Sequence, residues 1–577
     1  MVELKGLPGA PGVAAGRVLL LQPGRMQLPK EISGTLSAEV EKLKKAREVY
    51  RDRLKKLHSF AKEQQEEENA AILSSYLEIA DDAPFFEEVE SLIRREKVSA
   101  AWALDQKCRY TVELFDKLPE EYMRQRAEDV DNVCRELICE MQGVKRLEHK
   151  VGDAGEDHII FAEDLTPAET IRLDKKKLRG LVTQKGGPTS HTSILAKNLG
   201  IPAVVGLGEG FLKAKGKEPA LIDGDTGTVI LSPNSEQTRR FSEKILYNKE
   251  RREQYLSAEK RPACTLDGRP ISVCVNTGSE EDLRDFKPER CDGIGLYRTE
   301  LLYLGRDAFP SDEEQYEAYK KVTEQAGGKP VTIRTLDVGG DKTAGYMHLP
   351  EEQNPFLGYR AIRISLDKKE VFLTQLRSIL RASVHGKVQL MFPMIVTLEE
   401  LLQAKELLSQ AKEQLRERGE KYNEEMPVGI MVETPAAVLL CDRLSPHVDF
   451  FSIGTNDLIQ YTTATDRMNE RIQYLFDPFN ISVLRSVSLV CEAAQRHGVP
   501  VSICGESASE PWLIPLWVGL GVSGLSVSPG LVGRTKTIIS RLDTSEMQRE
   551  AQHIVTSFGE LDRVKKQLRQ LCESLGF

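Results

Sequence analysis

The chain has 577 residues, 40% hydrophobic and 29% charged, with a net charge of −9 and a pI near 5.7. That length exceeds one ordinary core and predicts three or four structural units, and the acidic balance argues against general nucleic-acid binding, which needs a basic footprint. Ten scattered cysteines without a CxxC pair point to reduced cytoplasmic thiols rather than a disulfide framework or zinc site. No run reaches the roughly 20 apolar residues of a membrane span, and the N-terminus, interrupted by Arg17, does not read as a signal peptide.

Residues 1 to about 30 are rich in Gly, Pro and Val and end in the strand-like Arg17–Leu21. From about Ser37 to Gly143 apolar residues recur at helical spacing, in Ala38–Phe60, Ala70–Ile79 and Ala127–Met141, which predicts a subdomain of helical hairpins. From about Val151 to Pro233 the texture becomes α/β, with strands predicted at His158–Phe161, Gly180–Thr183, Ala203–Val205, Ala220–Ile222 and Thr228–Leu231. A charged stretch from Ser235 to Lys260 predicts a connecting helix. Eight β-like runs then follow, most separated by helical segments: Ile271–Asn276, Asp292–Tyr297, Val331–Leu336, Val388–Phe392, Val428–Val432, Phe450–Ile453, Val501–Cys504 and Gly524–Val527. Such alternation predicts a parallel (β/α)8 barrel, whose active residues sit at the C-terminal strand ends. Those ends carry Arg298-Thr299-Glu300, Arg334, Asp337, Glu433, Gly454-Thr455-Asn456-Asp457 and Cys504-Gly505-Glu506.

Two places bear chemistry. Gly186-Gly187 precede a segment in which Ser190 or Thr192 can cap a helix starting near His191. A helix N-terminus favours a phosphate, and imidazole is nucleophilic near neutral pH; the plain alternative is a capped helix with a structural histidine. At the barrel mouth Arg298, Arg334, Arg360 and Lys342 predict a pocket for an anion, since guanidinium binds phosphate and carboxylate in two-pronged fashion. Glu433 and Asp457 suit magnesium, or else pair with the arginines. Cys504 can exchange a proton, or else packs as a small hydrophobe.

GGPTSHTSILAKNLGIPAVVG, GIGLYRTELLY, IRTLDVGGDK, NPFLGYRAIR, MVETPAA, FFSIGTNDLIQYTTATDR and ICGE together resemble the motifs of Enzyme I of the bacterial phosphotransferase system, the phosphoenolpyruvate–protein phosphotransferases. The resemblance covers nearly the whole chain, in family order. It implies that His191 is phosphorylated by phosphoenolpyruvate, with Thr166, Thr189 and Ser190 near it. It further implies that Arg298, Arg334 and Arg360 bind the substrate's phosphate and carboxylate with Lys342 nearby, and that Asn456 and Arg467 also contact the phosphate. Glu433 and Asp457 would hold magnesium, with manganese the alternative, and Cys504 would protonate the enolate as pyruvate forms. The implied architecture is a swivelling phosphohistidine α/β domain (1–30 and 146–234), an inserted helical carrier-binding subdomain (31–145), a linker helix (235–261) and a C-terminal TIM barrel (262–577) through which two copies dimerise. The implied acceptor is a histidine of an HPr-like phosphocarrier, docked near Tyr76, Asp81, Asp82 and Arg126, and the implied process is sugar uptake or its regulation.

Departures from the family pattern include Pro188 in the histidine loop, Ser507-Ala508-Ser509 after ICGE, and Tyr76 and Ala80 on the docking helix, where histidine and an acidic residue are usual. Arg126 follows the pattern. Phosphoenolpyruvate synthase and pyruvate phosphate dikinase share the histidine domain and barrel but also need a nucleotide-binding domain. Residues 1–145 read as too short and too helical for that, with no Gly-rich phosphate loop. The nitrogen-related paralogue carries an N-terminal sensory domain that this sequence is expected to lack. A non-catalytic binder of the same fold is the remaining alternative, and pyruvate release separates it from an enzyme.

Overall fold

Long amphipathic helices, short apolar strands and tight glycine turns sort this chain into two units, residues 1–250 and 251–577, in a computed structural model. It describes residues 2–21, 28–32, 34–63, 67–116, 121–143, 157–165, 177–187, 190–278, 283, 286–340, 345–350, 352–469, 471–556 and 561–576. The division falls inside the helix Ser235–Glu259, which lies within the expected connecting segment.

The first unit combines a sheet and a helical bundle. Strands β1 (Val2–Lys5), β2 (Leu7–Ala10), β3 (Val13–Leu21), β4 (His158–Ala162), β5 (Leu178–Thr183), β6 (Ala203–Val205), β7 (Pro219–Asp223) and β8 (Thr228–Leu231) form one eight-stranded sheet in the order β1-β8-β7-β3-β4-β5-β6-β2. β3, β4, β5 and β6 run parallel to their neighbours in that series, and the remaining pairings are antiparallel. The sequence did not predict β1 and β2. Both lie at the sheet's edges, where Pro8, which has no N–H to give, and Gly9 are tolerated.

Between β3 and β4 come helices α1 (Leu36–Glu63), α2 (Glu67–Asp81), α3 (Ala83–Glu96), α4 (Ala100–Asp116) and α5 (Glu121–Gln142). In α1 the buried apolar residues described are Val40, Leu43, Ala46, Tyr50 and Leu54, steps of three and four that put one stripe inward. Each large apolar side chain so buried contributes on the order of 1.5–3 kcal/mol before conformational entropy is charged against it. Asp82 caps α3, its side chain accepting from Phe85 N at 3.0 Å. Arg53 bridges α1 to Glu136 and Glu140 of α5.

In the second unit β9 (Ser272–Thr277), β10 (Ile294–Arg298), β11 (Val331–Arg334), β12 (Val388–Phe392), β13 (Val428–Val432), β14 (Phe450–Ile453), β15 (Val501–Ile503) and β16 (Gly524–Val527) form a closed barrel of eight parallel strands, with β16 returning to β9. The (β/α)8 expectation is borne out. β13 is buried throughout, as befits a parallel strand covered on both faces. Leu296, Met391, Met431, Phe450 and Cys504 form a small apolar cluster of their own. No helix among the described residues is long and apolar enough to cross a membrane.

Candidate active site

The C-terminal strand ends open into a cavity of about 270 Å3 whose described lining includes Arg298, Arg334, Arg360, Arg467, Asp337, Glu433, Asp457, Glu506, Asn456 and Cys504. β10 ends at Arg298 and β11 at Arg334, so strand geometry delivers both guanidiniums to the same rim. Four arginines and four acidic side chains therefore share this lining, so the expected cationic pocket holds, among its described residues, as many acidic groups as basic ones.

The balance is built from fixed pairs. Arg334 pairs with Glu300 and, at 3.0 Å, with Asp337. Arg360 reaches Asp337 at 2.9 Å, Asp457 at 3.3 Å and the Tyr461 hydroxyl at 3.1 Å. Both arginines are buried. Burial alone works against their charge, but Glu300 and Asp337 beside Arg334, and Asp337 and Asp457 beside Arg360, hold both firmly protonated. Each also has a buried Nε with no hydrogen-bond partner among the described residues. Gly339, at φ 114°, lets the loop after β11 come this close: a Cβ there would lie 2.4 Å from Arg360 Cβ. Arg298 is exposed and Arg467 half-buried; the rings of Phe356 lie 5.7 Å from the Arg467 guanidinium and 5.9 Å from that of Arg360. Phe356 was not among the sequence candidates, although its place in Asn354-Pro355-Phe356, six residues before Ile362, was available as a signal.

Glu433 follows β13 and is buried. Its Oε1 accepts from Met394 N at 2.7 Å, while its Oε2 is buried with no hydrogen-bond partner among the described residues. Burial, then the charges of Asp457 and Asp337, push its carboxyl up to about 8, against the pull of Arg334 and Arg360. Asp457 lies in the first turn of the helix Thr455–Thr463, beside Asn456. Of the two sequence readings of Asp457, pairing with an arginine is present, at Arg360; Asp457 also lines the cavity with Glu433. Cys504, just past β15, is 3% exposed, and its Sγ lies 3.6 Å from Ile453 O. Burial pushes its thiol up, opposed in part by the Arg334 charge, so the group stays protonated at neutral pH.

In the first unit the helix His191–Leu199 is capped by Ser190, whose Oγ accepts from Ser193 N at 3.4 Å. Thr192, the other candidate cap, instead donates to Asp164 Oδ1 at 3.2 Å. Ser193 Oγ donates to Gly187 O at 2.9 Å, folding the glycine loop onto the helix start. His191 is thus the first helical residue, where backbone N–H groups lack intrahelical acceptors. Thr166, Thr189 and Lys342 lie outside the described residues.

Of the docking candidates, Tyr76 requires a correction. It is 1% exposed in the bundle core, its hydroxyl accepting from Asn132 Nδ2 at 3.1 Å, so it presents no surface to a partner. Its place follows from spacing, because Leu73, Tyr76 and Ala80 line one buried stripe of α2. Asp81 is exposed and 3.7 Å from Arg51, Asp82 is the α3 cap, and Arg126 donates to Ser75 Oγ at 2.6 Å and Glu78 Oε2 at 2.9 Å.

Three family models match the chain: the N-terminal domain of PEP-utilising enzymes over residues 5–126, their mobile domain over 154–227 and their PEP-binding domain over 252–544. The phosphoenolpyruvate-protein phosphotransferase of Geobacillus stearothermophilus is 38% identical over 561 residues, covering 97% of this chain and 96% of that protein. Those of Listeria innocua (40% over 551 residues) and Bacillus subtilis (38% over 548) cover 95% of this chain and 96% of their own lengths. A chain with this barrel, this ring of strand-end charges and this full-length likeness belongs to the phosphoenolpyruvate-protein phosphotransferase family of PEP-utilising enzymes.

Proposed function

We propose that this chain transfers the phosphoryl group of phosphoenolpyruvate to His191, releases pyruvate, and passes the phosphoryl group to a histidine of an HPr-like carrier protein, the first step of the phosphotransferase system. The carrying observation is the convergence of Arg298, Arg334, Arg360 and Arg467 with a buried, protonated Cys504 around one cavity. Phosphoryl transfer needs little beyond alignment and neutralised charge, and buried guanidiniums already locked by carboxylates supply both without reorganising. The P–O bond to the enol oxygen breaks, an N–P bond forms at His191, and the enolate carbon takes the Cys504 proton to become pyruvate. Solvent then restores the thiol. The backbone N–H groups and the Ser190 hydroxyl at the helix start suit the resulting phosphohistidine.

A divalent metal fits the donor set. The Glu433 Oε2 has no hydrogen-bond partner among the described residues, Asp457 lines the same cavity, and Asp337 adds charge that favours a cation. Glu433 and Asp457 would hold Mg2+, or Mn2+, which would neutralise the substrate's phosphate; two carboxylates leave the remaining positions to substrate and water oxygens, as magnesium prefers. The relatives' name supports a protein acceptor. Dimerisation through the barrel unit, a cytoplasmic location and a role in sugar uptake belong to the same reading.

The test is incubation with phosphoenolpyruvate labelled in its phosphate, with magnesium. Acid-labile, base-stable label on the protein, absent from His191→Ala, is expected. No label on folded protein, or full labelling of that variant, sinks the assignment.

A further inference from the structure

An asparagine amide is nearly symmetric in shape, so the end it turns to a ligand is set by its neighbours. Both ends of the Asn456 amide meet Glu506. Its Oδ1 accepts from Glu506 N at 3.1 Å, and its Nδ2 donates to Glu506 Oε1 at 3.1 Å. A backbone N–H can only donate, so the amide oxygen must lie on that side. The carboxylate can only accept, so it holds the NH2 end, and the second Nδ2 hydrogen of this cavity-lining residue is not used by that pair.

The segment carrying Glu506 is itself seated on the start of the helix Thr455–Thr463. Cys504 N donates to Ile453 O at 3.1 Å, and a Cβ on Gly505 would lie 2.0 Å from Thr455 Oγ1. Ser507, one of the residues that departs from the family pattern, is buried and donates to Thr455 Oγ1 at 2.9 Å. Trp517 Nε1 holds the Ser507 carbonyl at 3.1 Å. Glu506 therefore stands at a fixed place on the rim, exposed, in a cavity meant for an anion. A carboxylate there repels the substrate, so its presence calls for a compensating task.

We infer that Glu506 is a positioning residue that turns the Asn456 amide so that an N–H, and not the carbonyl, faces the phosphoryl oxygens. This rests on the proposed role of Asn456 as a phosphate contact. Pyruvate release by the full chain with phosphoenolpyruvate and Mg2+ tests it. Glu506→Ala lowers kcat/KM about fivefold, the size of one net hydrogen bond, whereas Glu506→Gln, which keeps the acceptor oxygen, stays within about twofold of the wild type. In an Asn456→Ala background Glu506→Ala has no further effect. A wild-type rate in Glu506→Ala, an equal fall in Glu506→Gln, or the same loss in both backgrounds overturns the inference. If the wild type releases no pyruvate, the proposed function fails instead. The amide is then read directly: the Asn456 side-chain 15N resonance, identified by its absence in Asn456→Ala, shifts in Glu506→Ala, and an unmoved resonance overturns the inference by itself.

Discussion

The barrel mouth and the start of the His191 helix both suit a phosphoryl group, and they do so by opposite means. At the mouth, full charges are locked against one another: Arg334 between Glu300 and Asp337, Arg360 between Asp337 and Asp457. At the helix start the described groups are mainly hydroxyls and backbone N–H, with Ser190 as cap and Ser193 on the Gly187 carbonyl, and one carboxylate, Asp164, which Thr192 holds. Fixed charges suit a site that must bind a small, highly charged substrate and stabilise a loose transition state. Dipoles suit one that must take the phosphoryl group and then give it up, because strong ion pairs to it would make departure costly. One region is built to hold and the other to lend.

The contrast breaks first at Arg360. Arg360→Ala strips Asp337 and Asp457 of a buried partner and should cost about 3–5 kcal/mol in urea unfolding, with turnover lost. Adding Asp337→Asn should return part of the stability and none of the turnover; recovery of turnover would mean that Arg360 serves only to neutralise. Cys504→Ala comes next: pyruvate release should slow by about 10²–10⁴-fold while stability changes little, since the thiol packs as a small apolar group. An unchanged rate would move the proton donor elsewhere. On the helix side Ser190→Ala should cost about 1 kcal/mol of unfolding free energy in the first unit. No loss would mean the cap is idle.

The smallest effect concerns pH. Burial pushes the Asp312 carboxyl up, but hydrogen bonds from Arg377 and Ser378, the Arg377 charge and an Arg381 hydrogen bond together hold it below the usual carboxylate range. A depressed folded-state value stabilises above the ordinary aspartate range and is lost as pH falls through the lowered one. Wild-type stability should therefore drop on acidification below about pH 4, and Asp312→Asn should flatten that slope while leaving neutral-pH phosphorylation intact.

Much of the barrel was legible because its strands are short apolar runs between helices. Val388–Phe392, Val428–Val432, Phe450–Ile453 and Gly524–Val527 fall where the sequence predicts them. β10 is regular only from Ile294, two residues later than the sequence predicts, although Asp292 already pairs with β9: its N–H donates to Val273 O at 2.8 Å and its carboxylate accepts from Val273 N at 2.8 Å. The strand-end arginines were legible as residue types, but their partners were not. Whether Asp337 answers Arg334, Arg360 or both depends on which loops meet, and no spacing along the chain encodes that. Tyr76 shows the converse: a pattern borrowed from relatives put it on the surface, while the plain 3-and-4 spacing of α2 puts it inside.

The placement of α1–α5 between β3 and β4 bears on how the first unit assembles. Those strands pair in parallel, Arg17 opposite His158, so neighbours in the sheet stand 141 positions apart in the chain. Closing a flexible tether of that length costs about (3/2)RT ln n, on the order of 4 kcal/mol before any constant term. Helices form from local contacts and far faster than distant strand pairs. A bundle that condenses first, with α1 and α5 tied through Arg53, replaces the tether by a compact body. Folding rate for the sheet should then track bundle stability, so that a cavity cut under Tyr50 would delay strands it never touches.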